Sequence, residues 1–207
     1  MNTKTAILAS QNKNKIREIE AILGKHGFSV ISRDDAGIPT DDIEETGTTF
    51  EENSYIKASA IRDMIEADSA LEKYLDSPII ADDSGLMVDA LDGAPGIYSA
   101  RYAGEGCTYD DNNVKLLAAL EGVPESKRGA CFVTVITMIW PDGSRLVARG
   151  ECKGKITEET RGDRGFGFDP VFIPDGYDKT FAEMGPDVKN RISHRAKALE
   201  ELERLLG

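Results

Sequence analysis

Two carboxylates stand side by side at Asp82-Asp83, directly after the apolar run Pro78-Ile79-Ile80-Ala81 and before Ser84-Gly85. In α/β proteins the carboxyl ends of buried strands line ligand crevices. A hard divalent cation in a nucleotide site is typically held by one or two carboxylates plus phosphate oxygens. Strand alternation sends Asp82 and Asp83 to different sides, so only one of them faces a given site. A second carboxylate is available from Glu44 or Glu45 in the acidic loop between Asp34 and Gly47. The same residues also fit a purely structural reading, an Asx-type turn with Asp82 capping a backbone amide.

Three further segments carry groups suited to a polyanion. Ser10-Gln11-Asn12-Lys13-Asn14-Lys15 joins an apolar run to a helical pattern. A helix N-terminus there offers unpaired N–H groups and a positive dipole end, which suit phosphate. The glycines and the Gly-Lys-Ser/Thr ending of a Walker A loop are absent. On local grounds alone an ordinary Ser or Asn cap with solvated lysines is the favoured explanation, since such caps are routine at helix starts. In Gly165-Phe166-Gly167-Phe168-Asp169-Pro170 the glycines let backbone approach a ligand, and the aromatics offer faces for a flat base. The alternative is a small apolar cluster with glycines turning the chain. Lys189-Asn190-Arg191-Ile192-Ser193-His194-Arg195 concentrates basic groups in an acidic chain. On one ideal helix Lys189 and Arg195 point about 120° apart, so they share a ligand only if the helix breaks, with Ser193 capping a new one.

Together these pieces describe a nucleoside polyphosphate site without a P-loop. The rest of the composition limits the alternatives. With 25 Lys plus Arg against 37 Asp plus Glu in 207 residues, the net charge is −12. That sign opposes a nucleic-acid backbone or an anionic membrane, whereas one local basic pocket still accommodates a small anion. Two histidines and three cysteines without a CxxC pattern leave oxygen ligands as the choice for any metal: Mg²⁺, Mn²⁺ or Ca²⁺. The first residues carry no long apolar signal region, and the run from Ala130 to Trp140 is too short to span a bilayer. The expectation is a soluble, cytoplasmic protein.

The elements that must position these groups alternate along the chain. Thr5–Ala9 reads as a buried strand, Ile16, Ile19, Ile22 and Leu23 as a helix face ended by Gly24 and Gly27, and Phe28–Ile31 as a second strand. Thr49-x-x-Glu52 is a capping-box pattern opening a helix with Ala58, Ile61, Met64 and Ile65 on one face, extending toward Leu75. A strand over Pro78–Ala81 runs into the Asp-Asp-Ser-Gly loop. Asp110–Leu120 reads as a helix with Val114, Leu117 and Leu120 inward. Ala130–Trp140 is a long strand, Pro141–Ser144 a turn, and Leu146–Arg149 an antiparallel return. Val171–Ile173 is a further short strand, and Ala196, Leu199, Leu202 and Leu206 mark a C-terminal helix. The pattern is α/β with a mixed sheet.

In order along nearly the whole chain, the motifs Ser10-x-Asn12-x-x-Lys15, Glu44-Glu45-Thr46-Gly47-Thr48-Thr49-Phe50-x-Glu52-Asn53, Lys57-Ala58, Ala81-Asp82-Asp83-Ser84-Gly85-Leu86-x-Val88, Gly93–Tyr102, Gly165–Pro170 and Ser193-His194-Arg195 resemble the inosine triphosphate pyrophosphatase family. These are the non-canonical purine nucleoside triphosphate pyrophosphatases. The resemblance implies one domain over residues 1–207, a mixed twisted sheet with flanking helices, and two lobes with the active-site cleft between them. It implies Mg²⁺-dependent hydrolysis of ITP, dITP or XTP to monophosphate and pyrophosphate by a homodimer, cleansing the nucleotide pool. By matching position, Ser10, Gln11, Asn12, Lys13, Asn14 and Lys15 hold phosphates. Asp83 is metal-linked and the general base, Glu44 is a second metal carboxylate, and Ser84 contacts substrate. Phe166, Gly167, Phe168 and Asp169 frame the base, while Lys189, His194 and Arg195 complete the pocket. Two other readings fit much of the same sequence: a Maf-like pyrophosphatase for pyrimidine or modified nucleotides, and a nucleotide-binding protein without turnover.

Overall fold

The computed structural model describes residues 4–10, 13–39 and 43–207, apart from the side chains of Lys13, Asn14 and Glu18. Gln11 and Asn12 thus lie outside the described residues. The chain divides into two compact units, Met1–Asp83 with Val135–Arg149 and Ala198–Gly207, and Ser84–Thr134 with Gly150–Lys197. Among the described residues one six-stranded sheet has the order β2 (Phe28–Ser32), β1 (Lys4–Leu8), β3 (Ile79–Val88), β4 (Gly129–Ile139), β5 (Arg145–Ile156), β6 (Phe172–Pro174).

In the first unit, β1 (Lys4–Leu8), α1 (Lys13–Leu23) and β2 (Phe28–Ser32) form a parallel crossover, with Lys4 opposite Phe28 and Leu8 opposite Ser32. β1 also pairs in parallel with β3 (Ile79–Val88), Ile7 facing Ile79. Period-two alternation sorts the apolar residues onto two faces. Ala6, Leu8 and Ile80 pack with Ile19 and Leu23 of α1 and with Leu199 and Leu202 of α5 (His194–Leu206). Ile7, Ile79 and Ala81 pack with Ala58, Ile61 and Ile65 of α2 (Phe50–Ala67). Both sheet faces are covered, so the start of β3, Ile79-Ile80-Ala81, reads as an apolar run instead of an alternating one. Ile80 is fully buried, and Ile80→Ala costs about 2–5 kcal/mol by the usual transfer and cavity terms.

In the second unit, Leu86 and Val88 of β3 meet Leu116 and Leu120 around α3 (Tyr109–Ala119). Phe132 of β4 (Gly129–Ile139), Ile156 of β5 (Arg145–Ile156) and Phe172 of β6 (Phe172–Pro174) complete that core. Strand β6 pairs antiparallel with β5, Gly154 opposite Pro174. A Cβ at Gly154 would come within 2.2 Å of the Ile173 carbonyl oxygen, so only glycine permits this approach.

The expected mixed α/β sheet with flanking helices is therefore present, and the hairpin between β4 and β5 turns at Pro141–Ser144 as the sequence indicates. Asp142 Oδ1 accepts from Ser144 N at 2.9 Å in that turn. Four expectations need correction. The pair Asp82-Asp83 lies within β3, not in a loop after it, because Leu86 and Val88 are fully buried and continue the strand. The return strand β5 runs to Ile156 instead of stopping at Arg149, its glycines admitting β6 alongside. Val114 is 67% exposed; Asn112, Asn113 and Leu116 face inward on α3, because both asparagines find backbone partners there. Helix α2 ends at Ala67 and gives way to a 3₁₀ turn over Ser69–Tyr74. The buried Arg62 guanidinium donates to Leu75 O at 2.9 Å and Ser77 O at 2.5 Å, which ties that turn down.

Candidate active site

Alternation along β3 gives each carboxylate its own lysine. Asp82 faces α1, where Lys15 Nζ donates to its Oδ2 at 2.6 Å. Asp83 faces α2, where Lys57 Nζ donates to its Oδ1 at 3.1 Å. Lys57 Nζ also donates to Glu45 Oε2 at 3.2 Å, so one ammonium sits between two carboxylates.

The start of α2 fixes this cluster. Thr49 caps the helix, accepting from Glu52 N at 3.1 Å, as the capping-box pattern requires. The reciprocal contact is shifted by one residue, since Glu52 Oε2 accepts from Thr48 N at 2.6 Å. One turn on, the buried Asn53 accepts from Gly47 N at 2.9 Å. A Cβ on Gly47 would lie 2.5 Å from that Asn53 oxygen, so Gly47 lets the acidic loop close against the helix. Asn53 and Lys57 are four residues apart and so share a helix face.

Burial is the largest influence on Asp83 and pushes its carboxyl above the ordinary aspartate range. Lys57 opposes that shift, the Glu45 charge reinforces it, and the nearby Asn53 amide opposes it weakly. The net direction is upward. Asp83 Oδ2 is buried and makes no hydrogen bond among the described residues, and the same holds for Asn53 Nδ2. A carboxyl whose pKa is raised is, once ionised, a stronger proton acceptor than an ordinary aspartate.

Among the described residues no three His, Cys, Asp or Glu side chains cluster as a ready metal cage. Asp83 and Glu45 nevertheless suit a hard cation that keeps waters and takes its other ligands from phosphate. The open Asp83 oxygen is consistent with that. Glu44 is exposed, and Glu45 makes the contact to Lys57. Ser10 is half-buried just past β1, and Lys13 and Asn14 open α1.

In the second unit, Ser84 bonds Thr134 through their hydroxyls at 2.9 Å. Asp169 is 2% exposed and organises the glycine-phenylalanine segment. Its Oδ2 accepts from Phe166 N at 2.9 Å and from Lys189 Nζ at 2.5 Å. Gly165 has φ +83°, and a Cβ there would lie 2.1 Å from the same oxygen. Asn113 Nδ2, from α3, donates to Gly167 O at 2.9 Å and fixes the other side of the turn.

The two phenylalanines differ. Phe168 is 3% exposed in the apolar core, edge-on to Tyr102, so the stacking face expected of it is not offered. Phe166 is 42% exposed and presents its ring. Lys189 Nζ lies 4.5 Å from its centroid, Arg195 Cζ 5.9 Å, and the Tyr109 ring 6.2 Å.

The basic segment breaks where its two cations need it to. α4 (Pro186–Ile192) stops before Ser193, whose extended backbone separates it from α5. Ser193 Oγ accepts from Ala196 N at 3.2 Å, capping α5. Lys189 and Arg195 then meet at one ring. His194 stacks flat on Phe132 with centroids 4.7 Å apart and an interplanar angle of 10°.

The first unit thus brings Lys15 to Asp82 and, separately, Asp83 to Lys57 and Glu45. The second brings Phe166, Asp169, Lys189 and Arg195 together. The residue types alone assigned no role to Lys57, Asn53, Asn113 or Tyr109. The Asn53-x-x-x-Lys57 spacing was the available signal for the first two.

Residues 6–205 match the profile of the Ham1 family. A dITP/XTP pyrophosphatase of Clostridium perfringens is 48% identical over 205 residues, covering 96% of this chain and 95% of that protein. Another, of Bacillus subtilis, is 44% identical over 203 residues, covering 98% and 97%. Among solved structures, the Ham1 protein of Staphylococcus aureus superposes with a TM-score of 0.86 at 41% identity, covering 98% of each chain. A HAM1 protein of Coxiella burnetii does so with a TM-score of 0.87 at 39% identity, again covering 98% of each.

Proposed function

The chain belongs to the Ham1 family, and on that premise we propose that it hydrolyses non-canonical purine nucleoside triphosphates, dITP, ITP and XTP, to monophosphate and pyrophosphate. The relatives named dITP/XTP pyrophosphatase support the substrate class. The observation that carries the chemistry is Asp83, desolvated, raised in pKa and paired with Lys57 beside Glu45.

In this reading Asp83 Oδ2 accepts the proton of the attacking water, while Lys57 keeps Oδ1 in place. Asp83 and Glu45 are the residues that would hold Mg²⁺; Glu44 is the neighbouring alternative. When bound, Mg²⁺ offsets phosphate charge and acidifies a coordinated water. Ser10 to Lys15 receive phosphate oxygens at the α1 N-terminus, and Ser84 contacts substrate. Phe166 supplies a face for the purine, held by Asp169, Gly165 and Asn113. Lys189, His194 and Arg195 add positive charge or donors beside it. The protein works on free nucleotides, as a cytoplasmic homodimer.

A panel of dITP, ITP, XTP, ATP, GTP, CTP and UTP with Mg²⁺ tests the base class. We expect the deaminated purines to turn over well ahead of the rest. Preference for a pyrimidine triphosphate would overturn the substrate, and tight ITP binding without product would overturn the catalysis.

A further inference from the structure

Asp82 has no part in the chemistry assigned to Asp83, yet it is the more deeply enclosed of the two ion-paired carboxylates on β3. Its side chain is 3% exposed, against 11% for Asp83. The side chain of its partner Lys15 is 21% exposed, so a buried anion is paired with a lysine that is not fully enclosed. Such an arrangement is costly as mere stabilisation, because an ion pair out of water recovers little more than its desolvation penalty. It does fix the Lys15 ammonium. A free lysine loses up to about 2 kcal/mol of rotamer freedom on being held in one place.

We propose that Asp82 is a positioning residue for the reaction: it holds the Lys15 ammonium in place for the polyphosphate without itself touching substrate. This rests on the assignment of Lys15 to phosphate in the function proposed above. The opposite possibility has a distinct signature. A carboxylate that merely sits near an anion site repels the anion, and its neutralisation tightens binding. A carboxylate that positions the binding cation loosens binding when neutralised.

The experiment measures kcat and KM for ITP, and the inhibition constant of inorganic pyrophosphate, in the wild type, Asp82→Asn, Asp82→Glu, Lys15→Met and Asp82→Asn/Lys15→Met. Asp82→Asn is expected to raise KM and the pyrophosphate constant together, about fivefold to tenfold, with kcat within about twofold, as loss of uniform binding requires. The same substitution is expected to add little on the Lys15→Met background, since residues in one ion pair are not additive. Asp82→Glu, which keeps the charge and displaces it by one methylene, is expected to loosen pyrophosphate as well, and it serves if Asp82→Asn does not fold. Tighter pyrophosphate in Asp82→Asn, unchanged constants in both Asp82 variants, or an equal loss with and without Lys15 would overturn the inference. A wild type that neither hydrolyses ITP nor is inhibited by pyrophosphate would instead refute the underlying function.

Discussion

Lys57 Nζ stands 3.1 Å from Asp83 Oδ1, one group on α2 and the other on β3. Burial drives Asp83 toward its protonated form while Lys57 pulls it back. The balance leaves a carboxyl held above its ordinary range, which makes its ionised form a stronger base than an ordinary aspartate. Removing either member disturbs that balance in opposite ways.

Asp83→Asn is expected to abolish most turnover while the fold persists, measured by product formation and by thermal unfolding. The stability sign follows from the upward shift. A group whose folded pKa is raised stabilises the fold below its unfolded pKa, and that contribution is lost as pH rises through the folded value. The charged form of Asp83 is therefore the costly one, and the neutral amide should unfold no earlier than the parent. Near-parental activity in Asp83→Asn removes this residue from the mechanism.

Lys57→Met removes the cation that lowers the Asp83 pKa. The acidic limb of the kcat/KM profile should move to higher pH, because more of the enzyme then carries a protonated base at a given pH. A limb that stays in place, or moves to lower pH, contradicts the coupling between the two residues.

The sequence made much of this legible, unevenly. Alternation alone separated Asp82 from Asp83, and each has its own lysine on its own helix. The break at Ser193 followed from the angle between Lys189 and Arg195 on one helix. What was not legible depended on packing. Nothing local distinguishes Phe166 from Phe168, and only the core around Leu116 and Phe172 decides which ring is buried. Val114 was misplaced because the inward face of α3 is partly polar, its asparagines paid in hydrogen bonds by loop backbone that is distant in sequence. The choice of Glu45 over Glu44 at Lys57 depended on how the 44–49 loop closes on Asn53 through Gly47.

The two phenylalanines should therefore respond oppositely to truncation. Phe166→Ala is expected to raise KM for ITP by about tenfold, within the roughly 1–3 kcal/mol typical of a base stack, with little change in stability. Phe168→Ala, inside the core, should cost about 3–5 kcal/mol of stability. Steady-state kinetics and denaturant unfolding on the pair separate the roles, and equal effects on KM would contradict them.

Lys189→Met strands a carboxylate that is 2% exposed at its side chain. Breaking a buried pair from one side typically costs about 3–5 kcal/mol. Lys189→Met/Asp169→Asn should recover a large part of that loss in a chemical denaturation series. A double variant as unstable as the single would show that the loss does not come from a stranded charge on Asp169.

The central claim is tested most directly by identifying the phosphorus products of ITP hydrolysis with Mg²⁺ in the wild type and in Asp83→Asn. The account predicts IMP and pyrophosphate in equal amounts from the wild type, and almost no product from the variant. IDP with orthophosphate, or undiminished turnover in Asp83→Asn, would contradict it.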